Sequence, residues 1–342
     1  MIKKIIAQDL IHKVEKAIDK VERIAIVAHV SPDGDAMGAA LGLWHYLMTI
    51  EKEPVVIVPT AFADFLAWMP GADQVLIYEN DKAKADEIFA TTELIFAVDF
   101  NVPQRMSKMA DAVLASPAYK ILVDHHLYPG DFCNIVISYP QISSTSEMIF
   151  RLICRMGDFS KINLACADCI YTGMMTDTGG FTYNSNKAEI YTIVAELINL
   201  GVDKDDIYRR VYNTFSADRI RLMGYCLNDK MKVYPEYKAA LITLSKDELA
   251  KYNYQNGDSE GFVNIPLSIK GIVFSVFMRE DTEKIKLSLR SQGTFPANKV
   301  AADLFNGGGH LNAAGGESNL SLEDTVKKFE EALPNYKELL DL

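Results

Sequence analysis

Four short segments of this 342-residue chain carry side chains of the kinds that hold divalent cations. The first is His29-Val-Ser-Pro-Asp33-Gly-Asp35. The second is Asp99, the third Asp124-His125-His126, and the last Asp177 within Thr176-Asp177-Thr178-Gly179-Gly180. Taken singly, each has an ordinary structural reading. An aspartate at a strand end is a turn former or a helix cap, and Pro32-Asp33-Gly34 is a turn. Taken together they form a donor set of imidazoles and carboxylates without thiolate. That set suits manganese, zinc or iron, or magnesium where histidines are fewer. Asp33, Asp35, Asp99 and Asp177 bring four negative charges, which two divalent cations would balance. Without cations the same carboxylates would repel one another in a cleft. Two ions about 3.5–4 Å apart would clamp a phosphoryl oxygen and make hydroxide available at neutral pH.

The elements around these segments explain how they could meet. Residues 23–29, 55–58, 94–99, 120–124 and 134–138 are nearly continuous apolar runs, as expected of parallel strands covered on both faces. Helical patterns lie between and after them, from about Ala36 to Thr49, from about Pro103, over 163–175 and over 187–200, with Gly201 as the stop. Ser144 followed by Glu147 is a capping box that starts a helix running to about Met156, and Gly157 ends it. In an open parallel sheet, ligands sit beyond the carboxyl ends of the strands. Distant segments can therefore converge on one crevice. From Asp205 to about Asn228 an amphipathic stretch carries Ile207, Val211, Phe215, Ile220, Met223 and Leu227 and reads as a linker helix. Hairpin-like strands (239–243, 271–278, 283–290) and helices (296–304, 321–332) follow. The expected architecture is α/β: an N-terminal parallel-sheet domain (1–204), a linker helix (205–229) and a smaller α/β domain (230–342).

A second group of residues suits an anion. Gly307, Gly308 and Gly309 let backbone N–H groups approach a ligand, and His310 adds a donor. Arg290 ends an apolar alternation nearby in sequence and completes a clamp. Arg279, Arg105 and Asn101 are weaker candidates. The chain has 35 basic and 46 acidic residues, a net charge of −11. This argues against a protein that grips long duplex nucleic acid by its phosphates, and leaves room for a small anionic substrate if cations supply the positive charge. The longest apolar runs are strand-sized, far short of a membrane helix. The N-terminus meets Asp9 before any long apolar stretch, which predicts no signal peptide. Cys133, Cys154, Cys166, Cys169 and Cys226 are an odd set, which predicts reduced thiols in a cytoplasmic protein. Cys166 and Cys169 lie in an apolar helical pattern without further zinc ligands, so they read as core.

The motifs His29-x-x-x-Asp33-x-Asp35, Asp99, Asp124-His125-His126 and Asp177 together resemble those of the DHH phosphoesterase superfamily. The run Asn306-Gly307-Gly308-Gly309-His310-x-x-Ala313-Ala314-Gly315 resembles the glycine-rich signature of the associated DHHA1 domain, with asparagine where the family often has a first glycine. Ser259-Glu260-Gly261-Phe262-Val263-Asn264 and Leu287-Ser288-Leu289-Arg290-Ser291 are similar to other DHHA1 segments. The resemblance spans nearly the whole chain and is nearest to the bacterial nano-RNase and 3′-phosphoadenosine 5′-phosphate (pAp) phosphatase group. It implies that His29 and Asp33 hold one metal, that Asp35, His125 and Asp177 hold another, and that Asp99 bridges them. It implies that His126 contacts the scissile phosphate or assists the leaving group, and that Asp124 orients the histidines. Arg290, Gly308, Gly309 and His310 would bind substrate as the second domain closes over the centre. The implied cofactors are two divalent ions, manganese or alternatively magnesium. The implied substrates are short RNA oligonucleotides and pAp, in a protein that could form a homodimer. Pyrophosphate or polyphosphate hydrolysis, cyclic-dinucleotide hydrolysis and a non-catalytic nucleotide-binding regulator are the alternatives.

Overall fold

The computed structural model describes residues 4–282 and 284–340. The chain divides into two compact units, residues 1–214 and 215–342. Glu283, the first residue of one expected strand, lies outside the described residues.

The first unit is built on strands β1 (Arg23–Val27), β2 (Glu53–Val58), β3 (Leu76–Ile77), β4 (Leu94–Val98), β5 (Tyr119–Asp124) and β6 (Ile135–Ser138). They form one sheet in the order β3-β2-β1-β4-β5-β6, and every pairing is parallel. The helices are α1 (Gln8–Asp19), α2 (Gly34–Thr49), α3 (Lys82–Thr91), α4 (Ala110–Ala115), α5 (Thr145–Arg155), α6 (Leu164–Asp177), α7 (Ala188–Asn199) and α8 (Lys204–Tyr212). Successive strand residues feed opposite cores. Ile24, Ile26, Leu94, Phe96 and Val98 join one that includes α2, α5 and α6. Ala25, Val27, Ile95 and Ala97 join another with Phe89 and Val113. Burial on both faces explains the unbroken apolar runs. β1 lies between β2 and β4, so chain direction across the sheet reverses there, and a crevice opens beyond the ends of β1 and β4.

Glycines set the approach of α2 to α6. A Cβ at Gly38 would lie 2.6 Å from the Cys169 carbonyl oxygen and 2.8 Å from Gly173 backbone, and one at Gly34 would collide with Thr176. With Gly42 against Ile170, the i, i+4, i+8 spacing gives α2 a smooth face. Cys166 and Cys169 are fully buried on α6, as a core reading requires.

The second unit holds α9 (Ala217–Tyr225), β7 (Lys232–Tyr234), β8 (Ala239–Leu244), α10 (Lys246–Lys251), β9 (Phe274–Glu280), β10 (Ile285–Ser291), α11 (Ala297–Phe305), β11 (Gly308–His310), β12 (Ala313–Ser318), α12 (Leu322–Ala332) and α13 (Lys337–Leu340). Its sheet runs β11-β12-β10-β9-β8-β7.

Three expectations are corrected. The stretch 205–228 is not one helix. It breaks between Tyr212 and Ala217, where weak helix formers Asn213 and Thr214 precede Ser216, whose side chain caps a new helix by accepting from Arg219 N. Strands 239–243 and 271–278 are not a hairpin: β8 and β9 pair parallel, because α10 and a 3₁₀ segment, Phe262–Ser268, form a crossover between them. The segment from Pro103 begins as 3₁₀ helix and kinks at Ser107, φ +50°, before α4. In the glycine run, Gly308–His310 is a strand paired antiparallel to β12. Asn306 ends α11 at φ +47°, the left-handed conformation that asparagine tolerates.

Candidate metal centre

Backbone chemistry at each element end aims the donors. Asp33 caps α2, its Oδ1 accepting from Asp35 N and Ala36 N at 3.0 Å each. That fixes the first turn from which Asp35 projects. His29 lies two residues beyond β1, and its neighbour Val30 donates its N–H to Arg105 O at 2.8 Å. Asp99 follows β4 directly and sits at φ +64°, an unusual conformation for a residue with a side chain. Such strain persists only where surroundings hold it, and it clusters at functional sites. Asp124 is the last residue of β5 and Asp177 the last of α6.

These ends converge on two clusters that share Asp99. On one side, His29 Nε2 lies 3.5 Å from Asp99 Oδ2 and 3.9 Å from Asp33 Oδ1. On the other, His125 Nε2 lies 3.6 Å from Asp99 Oδ1, 3.5 Å from Asp177 Oδ2 and 3.8 Å from Asp35 Oδ2. The donor atoms of His29, Asp33 and Asp99, and those of Asp35, His125 and Asp177, lie within 4.8 Å of one another in each set. Asp99, Asp124 and His126 form a third such group.

The histidine tautomers are set by what Nδ1 touches. His29 Nδ1 donates to Val30 O at 2.9 Å and His125 Nδ1 to Ile142 O at 3.2 Å. In the neutral rings this leaves Nε2 with its lone pair toward the carboxylates, as a metal ligand requires. His126 Nδ1 donates to Asp124 Oδ1 at 2.7 Å. Asp124 thus orients His126, whereas a backbone carbonyl orients His125.

Electrostatics point the same way. Burial, with the charges of Asp35, Asp33, Asp177 and Asp124 behind it, pushes the Asp99 carboxyl well above the usual range. Burial also raises Asp35 and drives His29 down to about 4. At His125, burial lowers the pKa but the surrounding carboxylates outweigh it and the net shift is upward. Buried carboxylates at this spacing are the arrangement that cations neutralise, and the donor set fits two divalent ions. The orphaned buried oxygen Asp124 Oδ2 adds acceptor capacity at the same place.

The first turn of α5 was expected only as a helix start, yet it enters the centre. Thr145 N donates to Asp35 Oδ2 at 2.6 Å and Ser146 N to Asp35 Oδ1 at 2.8 Å. The Thr145 hydroxyl donates to Asp99 Oδ1 at 2.8 Å. The capping box located this turn in the sequence, but nothing there says which carboxylates it meets. Two weaker anion-clamp candidates have structural duties. Asn101 Nδ2 donates to Leu127 O at 2.7 Å, tethering the loop after His126, and Arg279 donates to the Tyr254 hydroxyl. Arg105 is exposed, and its charge opposes protonation of His29.

In the second unit, Arg290 lies on β10 opposite Ala313 and Ser275 and donates to Leu289 O at 3.0 Å. Gly308, Gly309 and His310 make up β11. A Cβ at Gly307 would lie 2.0 Å from Gly315 O and one at Gly309 2.5 Å from Ala313 O, whereas one at Gly308 would meet nothing within 4 Å. Strand pairing accounts for Gly307 and Gly309 but not for Gly308.

The comparisons with known proteins agree with this geometry. Residues 23–174 match the DHH family, N-terminal domain, and residues 238–340 match the DHHA1 domain. The bifunctional oligoribonuclease and PAP phosphatase NrnA of Thermus thermophilus is 30% identical over 328 residues, covering 95% of this chain and 92% of that protein. The crystal structure of an exopolyphosphatase-related protein from Bacteroides fragilis is 58% identical, with a TM-score of 0.95 over 99% of this chain and 100% of that one. RecJ of Thermus thermophilus in complex with Mn2+ shares the fold at 14% identity, with a TM-score of 0.56 over 98% of this chain and 55% of RecJ. This chain belongs to the DHH/DHHA1 family and is a DHH-family phosphoesterase.

Proposed function

We propose that this protein hydrolyses the phosphoester bonds of very short RNA oligonucleotides and of pAp, with two manganese ions as cofactors and magnesium as a possible substitute. The observation that carries the reading is the Asp99 carboxylate, with one oxygen toward the His29 cluster and the other toward the His125 cluster. His29 and Asp33 would hold one ion, Asp35, His125 and Asp177 the other, and Asp99 both. When bound, the ions supply Lewis-acid charge at the phosphoryl oxygens and lower the pKa of water. Phosphoryl transfer otherwise needs positioning and charge neutralisation. His126, held by Asp124, is the residue assigned to contact the scissile phosphate or to assist the leaving group. Arg290 and the β11 residues Gly308, Gly309 and His310 are assigned to substrate recognition. The relation to the Thermus thermophilus NrnA supports the substrate class, and manganese in RecJ supports the metal.

A second reading, cleavage of phosphoanhydrides, draws support from the exopolyphosphatase-related protein of Bacteroides fragilis. Product analysis of the manganese-loaded protein with pAp, a diribonucleotide, pyrophosphate, polyphosphate and cyclic di-AMP separates the readings. Turnover of pAp and the diribonucleotide is expected. Turnover confined to pyrophosphate and polyphosphate overturns the first reading in favour of the second.

A further inference from the structure

One residue bonds two carboxylates of the candidate centre from outside its motifs. Thr145, with no exposed surface, is the first residue of α5. Ser144 caps that helix through Glu147 N at 3.0 Å, so the N–H groups of Thr145 and Ser146 are available to other acceptors. They take one oxygen each of Asp35. The Thr145 hydroxyl has one proton to give, and it goes to Asp99 Oδ1 at 2.8 Å. Asp35 lies on α2 and Asp99 beyond β4, so Thr145 bonds two carboxylates from separate segments. Both contacted oxygens, Asp35 Oδ2 and Asp99 Oδ1, face His125.

A carboxylate turns easily about its last torsion, whose preference is broad and two-fold. The left-handed backbone at Asp99 sets where the carboxylate stands but not how it is rotated. The Thr145 hydroxyl is fully buried on a capped helix turn, so it can serve as a fixed pin. We propose that Thr145 is a positioning residue that divides Asp99 between the two ion sites. Its hydroxyl holds Oδ1 on the His125 side, which leaves Oδ2 turned to His29 and Asp33. The inference rests on the two-ion reading above. Without the pin, Asp99 rotates freely among neighbouring charges, and the second ion loses its shared ligand.

The test is a Mn2+ titration of metal-free protein, followed by calorimetry for stoichiometry and by electron paramagnetic resonance for spin coupling between ions that share a carboxylate. Thr145→Val keeps the shape and removes the hydroxyl. Its affinity for the second ion should fall about 10- to 100-fold, the usual effect of losing a partner behind a ligand, and the spin-coupled signal at two equivalents should vanish. Thr145→Ser should restore both. Thr145→Ala, read the same way, covers the case in which the valine does not fold. Wild-type binding and coupling in the valine or alanine protein overturns the role of Thr145, as does failure of serine to rescue. A wild-type protein that binds no coupled pair overturns the two-ion reading itself, and the inference with it.

Discussion

His126 gives its Nδ1 proton to Asp124 Oδ1 across 2.7 Å, and Asp124 has no exposed surface. Burial works against the Asp124 charge, but the hydrogen bonds from His126 and the charges of His126 and His125 together outweigh it and hold the carboxyl below its ordinary range. Asp124→Asn keeps the shape and removes that charge, so the ring of His126 loses its strongest orienting partner. We expect kcat to fall about 10- to 100-fold while two ions remain bound. Metal analysis beside steady-state kinetics checks this. An unchanged kcat, or loss of the ions in parallel, contradicts the division of labour between His126 and the ligands.

Metal removal should destabilise the wild-type protein, and Asp99 gives the effect a recognisable sign. Its folded-state pKa is raised by burial and by neighbouring carboxylates, so in the metal-free protein the ionised form opposes folding. That penalty is absent below about pH 4, the unfolded carboxylate value. It grows as pH rises through the interval between the unfolded and folded pKa values, and is complete above the folded one. Asp99→Asn removes it and still suits φ +64°, since asparagine tolerates that region. Metal-free Asp99→Asn should therefore melt above metal-free wild type at pH 8, with no difference near pH 4. Excess Mn2+ should reverse the order, because an ion at 100 times its Kd adds about 2.7 kcal/mol to the protein that binds it. Thermal melts with and without chelator check both halves.

Gly38→Ala tests whether the helix contact sets the ligands. The new Cβ would press on backbone of Cys169 and Gly173, which cannot swing aside as a side chain could. Overpacking of this kind costs about 1–3 kcal/mol, partly offset by about 1 kcal/mol of better helix propensity. We expect a lower Tm and weaker Mn2+ binding, since α2 carries Asp35 and α6 ends in Asp177. Unaltered metal affinity in a destabilised protein would detach the packing from the site.

Gly308→Ala makes the opposite pairing of effects. Nothing lies within 4 Å of the added methyl group, so the melting temperature should hold. If the backbone of β11 meets the substrate's phosphate, KM for pAp should rise several-fold with kcat less affected. Kinetics on pAp at saturating Mn2+ decide it, and an unchanged KM removes Gly308 from the substrate contacts.

Much of the fold and most of the candidate donors were legible because their signals are local. Apolar runs at 23–29, 94–99 and 120–124 announce buried parallel strands, and polar residues at their ends announce a crevice. Relations between segments were not legible. The i, i+4, i+8 glycines at Gly34, Gly38 and Gly42 are visible in the sequence, but only the packed structure shows Gly173 and Cys169 behind them. Thr145 reads as an ordinary residue after a cap until Asp35 and Asp99 are seen in front of it. The pairing of β8 with β9 was misread because strand patterns do not encode direction, and the crossover between them is mostly short turns. The break at Asn213–Ser216 was hidden by apolar spacing that continues through it.

The most direct measurement of the central claim is kcat/KM of the manganese-loaded protein across an RNA length series, from dinucleotides to long strands, at two salt concentrations. A chain with a net charge of −11 and a centre suited to one scissile phosphate should neutralise few phosphates and release few counterions. The account predicts the highest values for the shortest oligomers, a steep decline with length and a shallow dependence on salt. Processive degradation of long strands with a steep salt dependence would contradict it.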